Sequence, residues 1–139
     1  MPELPEVETL RRELNKALPN LKIKNCQVLW PKAVSPLSPE EFTKQIKNKK
    51  IITVRRRAKM LFLDLEGKLA LAVHLKMTGQ LIYKGNLDKH TRIIFEFTDK
   101  SKLYFNDLRK FGWIRLINDE EMETIVGKVG PEPLSPAFT

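Results

Sequence analysis

Cysteine and long apolar runs are scarce in this 139-residue sequence. A single cysteine, Cys26, excludes both an internal disulfide and a four-thiolate zinc site. The longest uninterrupted apolar run, Leu69 to Val73, is far shorter than the roughly 20 residues that a membrane-spanning helix needs. The opening MPELPEVE is acidic and lacks the basic region of a signal peptide. We therefore expect a soluble, cytoplasmic protein with no membrane partner.

The charge balance is strongly basic, with 25 Lys and Arg against 17 Asp and Glu and a net charge of +8. Such an excess favours a polyanionic partner, nucleic acid first, although a solvated basic surface or binding to an anionic membrane would also account for it. Hydrophobic residues make up 42% of the chain and charged residues 30%, which is typical of a globular protein. The length suits one domain.

Apolar spacing predicts a helix from Glu3 to Leu18, and a proline follows it. Ser38 and Pro39 supply the cap and first turn of a second helix ending near Ile46, and a short acidic helix is expected near residues 120–125. Strands are predicted at residues 21–30, 51–57, 60–65, 68–75, 92–97, 103–105 and 113–117, with a two-residue hairpin turn at 66–67. The expected fold class is α+β, mainly β: a two-layered antiparallel β-sandwich flanked by two or three helices.

The chain ends in a proline-rich segment, GPEPLSP, with three prolines in residues 131–136. Proline lacks the backbone N–H that regular structure requires, so this segment is expected to be a linker. We expect a domain over residues 1–130 and the start of an interdomain linker over residues 131–139.

Residues 47–60, KNKKIITVRRRAKM, carry seven cationic side chains and no acidic one. This density favours phosphate binding by Arg55, Arg56 and Arg57. The alternative is that the charges protect the edge of a sheet against pairing with other chains.

Two loops that follow predicted strands, residues 74–79 and 107–112, carry large side chains and end in glycine. Met77 and Phe111, beside Arg109, are the residue types that wedge into a base step of duplex DNA. Each is also a common core residue. His74 is read as a packed histidine, because no other His or Cys lies at metal-ligand spacing.

Pro2 becomes a free secondary amine if the initiator Met is removed, and Glu3 lies beside it. An α-amino group with a pKa of about 8 is neutral in roughly a tenth of molecules at pH 7, so it can act as a nucleophile without burial. A proline at position 2 is also common in proteins without such chemistry.

The segments MPELPEVETLRRELN, RRRAKM, HLKMTG, DLRKFG and GPEPLS occur in the order found in formamidopyrimidine-DNA glycosylases, which this sequence resembles over nearly its whole length. The resemblance implies a β-sandwich N-terminal catalytic domain of a bacterial base-excision repair enzyme. Such enzymes remove 8-oxoguanine and formamidopyrimidines from double-stranded DNA, then cut the abasic site by β,δ-elimination. The resemblance further implies a monomer that works at the bacterial nucleoid.

The resemblance also implies roles for individual residues. Pro2 is expected to attack the sugar C1′ and form a Schiff base, with Glu3 as the acid that assists ring opening. Lys59 is expected to serve β-elimination and phosphate contact. The positions expected to enter the duplex or to contact phosphate are Met77, Arg109, Phe111 and His90.

Family members continue into a helix-two-turn-helix domain and a four-cysteine zinc finger that this sequence lacks. No cofactor is therefore expected in this chain, and the isolated domain is expected to be weak or inactive. Lys76 occupies a place often held by glycine, and Arg109-Lys110 stands where many relatives have an arginine pair. Two alternatives stay open: a non-catalytic module that binds damaged duplex DNA, and an endonuclease VIII-like relative that acts on oxidised pyrimidines.

Overall fold

The structure, a computed structural model, describes residues 4–129, which form two four-stranded antiparallel sheets and three α-helices. The helices are α1 (Leu4–Ala17), α2 (Pro39–Ile46) and α3 (Asp119–Val129), and a short 3₁₀ helix covers Pro31–Val34. The strands are β1 (Ile23–Val28), β2 (Ile51–Arg57), β3 (Met60–Leu65), β4 (Leu69–His74), β5 (Gly79–Tyr83), β6 (Thr91–Phe97), β7 (Lys102–Asp107) and β8 (Trp113–Asn118). The expected linker, residues 131–139, lies outside the described residues, so that boundary stays a prediction. Within the described part, no helix is both long and apolar enough to cross a bilayer.

The two sheets face each other, which confirms the predicted sandwich. One sheet has the strand order β2-β3-β4-β8 and the other β1-β6-β7-β5. Alternate residues of each strand point into the space between them, as the pleat of a strand requires. The largest fully buried side chains of this core include Phe42, Phe95, Phe97, Phe105, Leu61 and Leu63.

Strands β3 and β4 are buried on both faces, which explains their nearly continuous apolar sequences. A second cluster, formed by Met60, Phe62, Ala70, Ala72 and Ile117, lies on the other side of this sheet from the main core. The partly buried side chains of Trp113, Met122 and Ile125 pack against it, the last two from α3. Helix α3 therefore shields this face.

Helix α1 packs against β2, one of the two edge strands of its sheet. Asn15 Oδ1 accepts hydrogen bonds from the Val54 backbone N–H at 2.8 Å and from Thr53 Oγ1 at 3.0 Å. An unpaired N–H on a sheet edge is a template for pairing with another chain. The helix thus satisfies part of this edge and fixes its own position beside it.

Most predicted elements are present, and the differences have local causes. Strand β5 was not predicted, because it is short and only Leu81 supplies a buried apolar side chain between Gly79 and Tyr83. The β3–β4 turn has three residues rather than two, since Leu65 pairs with Leu69. Gly67 and Lys68 both adopt left-handed backbone there, with φ of 84° and 60°.

Two connections cross from one sheet to the other at the same end of the sandwich. The first loop joins β4 to β5, and the second joins β7 to β8. His74, which ends β4, pairs with Trp113, which begins β8. Gly79 at the start of β5 pairs with Asp107 at the end of β7. Both loops therefore begin and end on neighbouring strands and run side by side.

Lys76, in the first of these loops, adopts a left-handed φ of 54°. This region costs a residue with a Cβ roughly 1–2 kcal/mol, and glycine avoids that cost while losing more entropy on folding. We expect Lys76→Gly to raise the free energy of unfolding by about 0.5–1 kcal/mol, measured by urea denaturation. Lys76→Ala, which keeps the Cβ, is the control and should give no gain. An equal gain from both variants would show that loss of the lysine charge is responsible.

Candidate nucleic-acid interface

Met77, Arg109 and Phe111 form one cluster at the rim where the two loops run side by side. Met77 is 51% exposed and Phe111 52%. The Arg109 guanidinium lies between them: Nη1 is 3.8 Å from Met77 Sδ, and Cζ is 5.0 Å from the centre of the Phe111 ring. The two apolar side chains are therefore not core residues. Their arrangement is one that could enter a gap in stacked bases.

A buried carboxylate connects the loops beneath this cluster. Asp107 is fully buried, and its Oδ1 accepts a hydrogen bond of 2.5 Å from Thr78 Oγ1. Its Oδ2 accepts from the Gly112 N–H at 2.6 Å. The Arg109 N–H donates to Thr78 Oγ1 at 3.1 Å and approaches Asp107 Oδ1 at 3.3 Å. Sequence reasoning singled out neither Asp107 nor Thr78, although both residue types commonly bond backbone N–H groups in turns.

The glycines that end the loops are required by close backbone approach. A Cβ on Gly112 would lie 2.9 Å from the His74 carbonyl oxygen and 2.9 Å from Cζ of Phe105. A Cβ on Gly79 would lie 2.5 Å from the Leu75 carbonyl oxygen. A side chain on Gly112 would therefore push the second loop away from the base of the first, and one on Gly79 would distort the first loop itself.

His74 is a packed histidine at the base of the first loop. Its ring centre lies 5.7 Å from a ring centre of Trp113, and its Nδ1 accepts a hydrogen bond from the Lys76 N–H at 3.1 Å. Burial, helped by the charges of Lys76 and Arg115, lowers the pKa of His74 to about 4. The ring is therefore neutral at pH 7, as its role as hydrogen-bond acceptor requires. No group of three His, Cys, Asp or Glu side chains that could hold a metal ion occurs among residues 4–129.

Two of the three arginines of β2 pair with acidic side chains of the protein itself, and the third is buried. The Arg55 guanidinium bonds Asp64 on β3, with Nη2 2.9 Å from Oδ1. Arg56 Nε lies 2.7 Å from Glu8 Oε1 on α1, and Arg57 is only 6% exposed. These contacts occur on an edge strand, the position that the edge-protection alternative requires. Phosphate binding by these arginines stays a prediction.

Glu8 is the acceptor at the centre of an arginine network on α1. Hydrogen bonds from Arg11, and then from Arg56 and Arg12, lower the pKa of Glu8 to about 2. Arg11 and Arg12 lie three and four residues along the helix, and their nitrogens are 2.9 and 2.8 Å from Glu8 Oε2. The carboxylate stays charged well into the acid range, so Arg56 keeps its partner.

Lys59 and His90 lie at the same end of the sandwich as the two loops. Lys59 lies in the turn between β2 and β3. The His90 carbonyl oxygen accepts a hydrogen bond of 2.9 Å from the Asp107 N–H, which places the His90 backbone beside the second loop. Pro2 and Glu3 lie outside the described residues. The roles expected for all these residues stay predictions.

The first turn of α1 lies beside the first loop. A cleft of about 220 Å³ has Glu6, Val7 and Leu10 of α1 among its lining residues, facing Leu75 and the first four residues of β5. The helix end to which Pro2 is joined therefore lies close to the loop that carries Met77.

Comparison with known proteins identifies the family. The model of the formamidopyrimidine-DNA glycosylase N-terminal domain matches residues 1–114. The chain is 44% identical to the formamidopyrimidine-DNA glycosylase of Pelotomaculum thermopropionicum and 42% identical to that of Listeria innocua, in each case over all of this chain and 52% of the relative. It thus spans about half the length of these curated relatives.

Solved structures agree with this assignment. The Lactococcus lactis protein Fpg in complex with DNA containing an abasic site superposes with a TM-score of 0.84 at 32% identity, over 91% of this chain and 47% of that one. MutM in complex with DNA containing carbocyclic 8-oxo-G gives the same TM-score and identity, over 91% of this chain and 49% of that one. The chain belongs to the family of formamidopyrimidine-DNA glycosylase N-terminal domains.

Proposed function

We propose that this chain is the catalytic N-terminal half of a bifunctional DNA glycosylase and abasic-site lyase that acts on oxidised purines in double-stranded DNA. The exposed cluster of Met77, Arg109 and Phe111 carries the proposal. The relatives named formamidopyrimidine-DNA glycosylase support it, as do neighbours that hold DNA with an abasic site, 8-oxo-G or Fapy-dG. The DNA is expected to be bound by a monomer at the bacterial nucleoid.

The cluster suits an enzyme that works on a base removed from the stack. Extruding a nucleotide costs a few kcal/mol of unstacking and leaves a gap. Met77 and Phe111 are about half exposed in the free protein and would be buried in that gap. Arg109 contacts both side chains and would bring a positive charge close to the DNA backbone.

The proposed chemistry begins at the nitrogen of Pro2. Its lone pair attacks C1′ as the bond from C1′ to the damaged base breaks, and Glu3 supplies the proton that opens the sugar ring. The resulting iminium makes the C2′ protons acidic, so that removing one expels the 3′ phosphate, the step assigned to Lys59. A second elimination then expels the 5′ phosphate.

A second candidate is a non-catalytic module that binds damaged duplex DNA. It is favoured by one observation: Met77, Arg109 and Phe111 are held together by contacts within the two loops. Such a module would bind an abasic duplex equally well whatever group occupies position 2.

Retention of Met1 should abolish the proposed chemistry. An acylated proline nitrogen is an amide whose lone pair is delocalised into the carbonyl, so it cannot form the iminium. We expect borohydride to trap a covalent adduct on abasic-site DNA with a chain that begins at Pro2, and no adduct with a chain that keeps Met1. Equal adducts from both would refute the assignment of Pro2 and point to a lysine, Lys59 first. No adduct from either chain, with binding retained, would favour the non-catalytic module.

DNA binding by the 139-residue chain should be weak and salt-sensitive. Each phosphate neutralised contributes about 0.9 to the slope of log affinity against log salt concentration. We expect Arg109→Gln to reduce this slope by about one unit in a titration on abasic duplex at several salt concentrations. The same titration with Arg55→Gln decides between the two interpretations of β2. A reduced slope would support phosphate binding there, and an unchanged slope would support edge protection.

A further inference from the structure

We propose that Asp107 is a positioning residue that holds Met77, Arg109 and Phe111 in the arrangement required to enter DNA. This inference rests on the proposed function of the cluster. It concerns Asp107 and Thr78, which lie in the loops beneath the cluster and have no part in the proposed chemistry. The carboxylate would act through hydrogen bonds to both loops and would touch neither DNA nor the reacting atoms.

Every member of the cluster lies within one residue of a group bonded in this network. Met77 precedes Thr78, whose hydroxyl donates to Asp107 Oδ1 at 2.5 Å. Phe111 precedes Gly112, whose N–H donates to Oδ2 at 2.6 Å. The Arg109 N–H is bonded directly to Thr78 Oγ1 at 3.1 Å. One carboxylate thus fixes the backbone next to all three side chains.

A carboxylate suits this position because all the groups that face it are donors. An ionised Asp accepts through both oxygens, whereas Asn would place an NH₂ group against one of these donors. Asp107 is fully buried, so it has no water to bond in place of the loops. If a loop moved away, a buried carboxylate oxygen would lose its hydrogen bond and gain none from water in exchange. The arrangement in which both loops bond Asp107 is therefore strongly preferred.

The position of Asp107 is itself fixed by its neighbours. Its N–H donates to the His90 carbonyl oxygen at 2.9 Å, and its own carbonyl oxygen accepts from Arg92 Nε at 2.9 Å. The backbone of Asp107 is therefore held from the β6 side, while its side chain bonds the two loops. Because the loops are already ordered in the free protein, binding to DNA does not carry the entropic cost of ordering them. More of the free energy of the contacts is then available to insert the three side chains.

Thr78→Val tests the inference, because it removes the hydroxyl that joins Asp107 to Arg109 and keeps the shape of the side chain. Tyr83→Phe is the matched control: it removes the hydrogen bond of 2.9 Å from the Tyr83 hydroxyl to Ser101 Oγ, at the opposite end of the β5–β7 pair. Thr78→Ser should restore the wild-type behaviour. Thr78→Ala serves as a second hydroxyl-free variant, so that a packing fault of Val is recognised.

The first measurement is amide hydrogen exchange of the 139-residue chain by NMR. We expect the Arg109 and Gly112 amides to exchange at least tenfold faster in Thr78→Val and Thr78→Ala than in the wild type. Tyr83→Phe and Thr78→Ser should leave both rates unchanged. Amides in β3 report global stability and should not change in any variant. Unchanged exchange at Arg109 and Gly112 in both hydroxyl-free variants would overturn the inference.

The second measurement reports insertion into DNA. A duplex carries tetrahydrofuran as an abasic-site analogue with 2-aminopurine beside it, and its fluorescence is read at saturating protein. We expect Thr78→Val to lose at least half of the wild-type amplitude, while its affinity for undamaged duplex stays unchanged. A full amplitude despite faster exchange would overturn the positioning role. No signal from the wild type would instead refute the proposed function, and the exchange rates would still show whether the network holds the loops.

Discussion

Two strand pairings at one end of the sandwich determine where its two exposed loops lie. His74 pairs with Trp113 and Gly79 with Asp107, so both connections between the sheets leave and arrive at adjacent strands. The ends of the two loops are therefore held close together, and Gly112 lets the second loop approach the His74 carbonyl oxygen at the base of the first. The exposed cluster is a consequence of this constraint. Side chains from sequence positions about thirty residues apart meet because the sandwich brings their loops together.

The strands of the β2-β3-β4-β8 sheet differ in sequence because the central strands are covered on both faces and the edge strand β2 is not. The two central strands, β3 and β4, lie between the main core and the cluster beneath α3, and they are almost wholly apolar. The edge strand β2 carries three arginines instead. Ion pairs with Asp64 and Glu8 hold the charges of Arg55 and Arg56 at this edge of the sheet.

The sequence predicted the elements that have a strong periodicity and missed those that depend on tertiary contact. The cap at Ser38 and the start of α2 at Pro39 are as expected, because a local hydrogen bond from the Glu41 N–H to Ser38 Oγ sets them. Strand β5 was missed, since its identity comes from pairing with β7 rather than from its own pattern. Asp107 was missed for the same reason: its partners lie in two loops, and only the fold shows that they meet.

The basic stretch shows the limit of reading charge from sequence. Seven cations without an acid between them suggest an exposed phosphate surface, yet the acids that pair with Arg55 and Arg56 come from β3 and α1. The charges of these two arginines are therefore compensated by residues that are distant along the chain, while phosphate binding by the basic stretch stays a prediction.

Lysines at turns form a second group of cations, distinct from the paired arginines of β2. Eight residues other than glycine have positive φ in the described part of the chain, and five of them are lysines. Lys76 and Lys110 are two of these, one in each loop beside the cluster, and the Lys110 ammonium lies 4.1 Å from the centre of the Trp30 ring. Left-handed backbone favours glycine or asparagine, so lysine is an unfavourable choice for the turn alone. What lysine adds is positive charge at the tips of both loops, around the residues proposed to enter DNA, where attraction of phosphate acts before any side chain inserts.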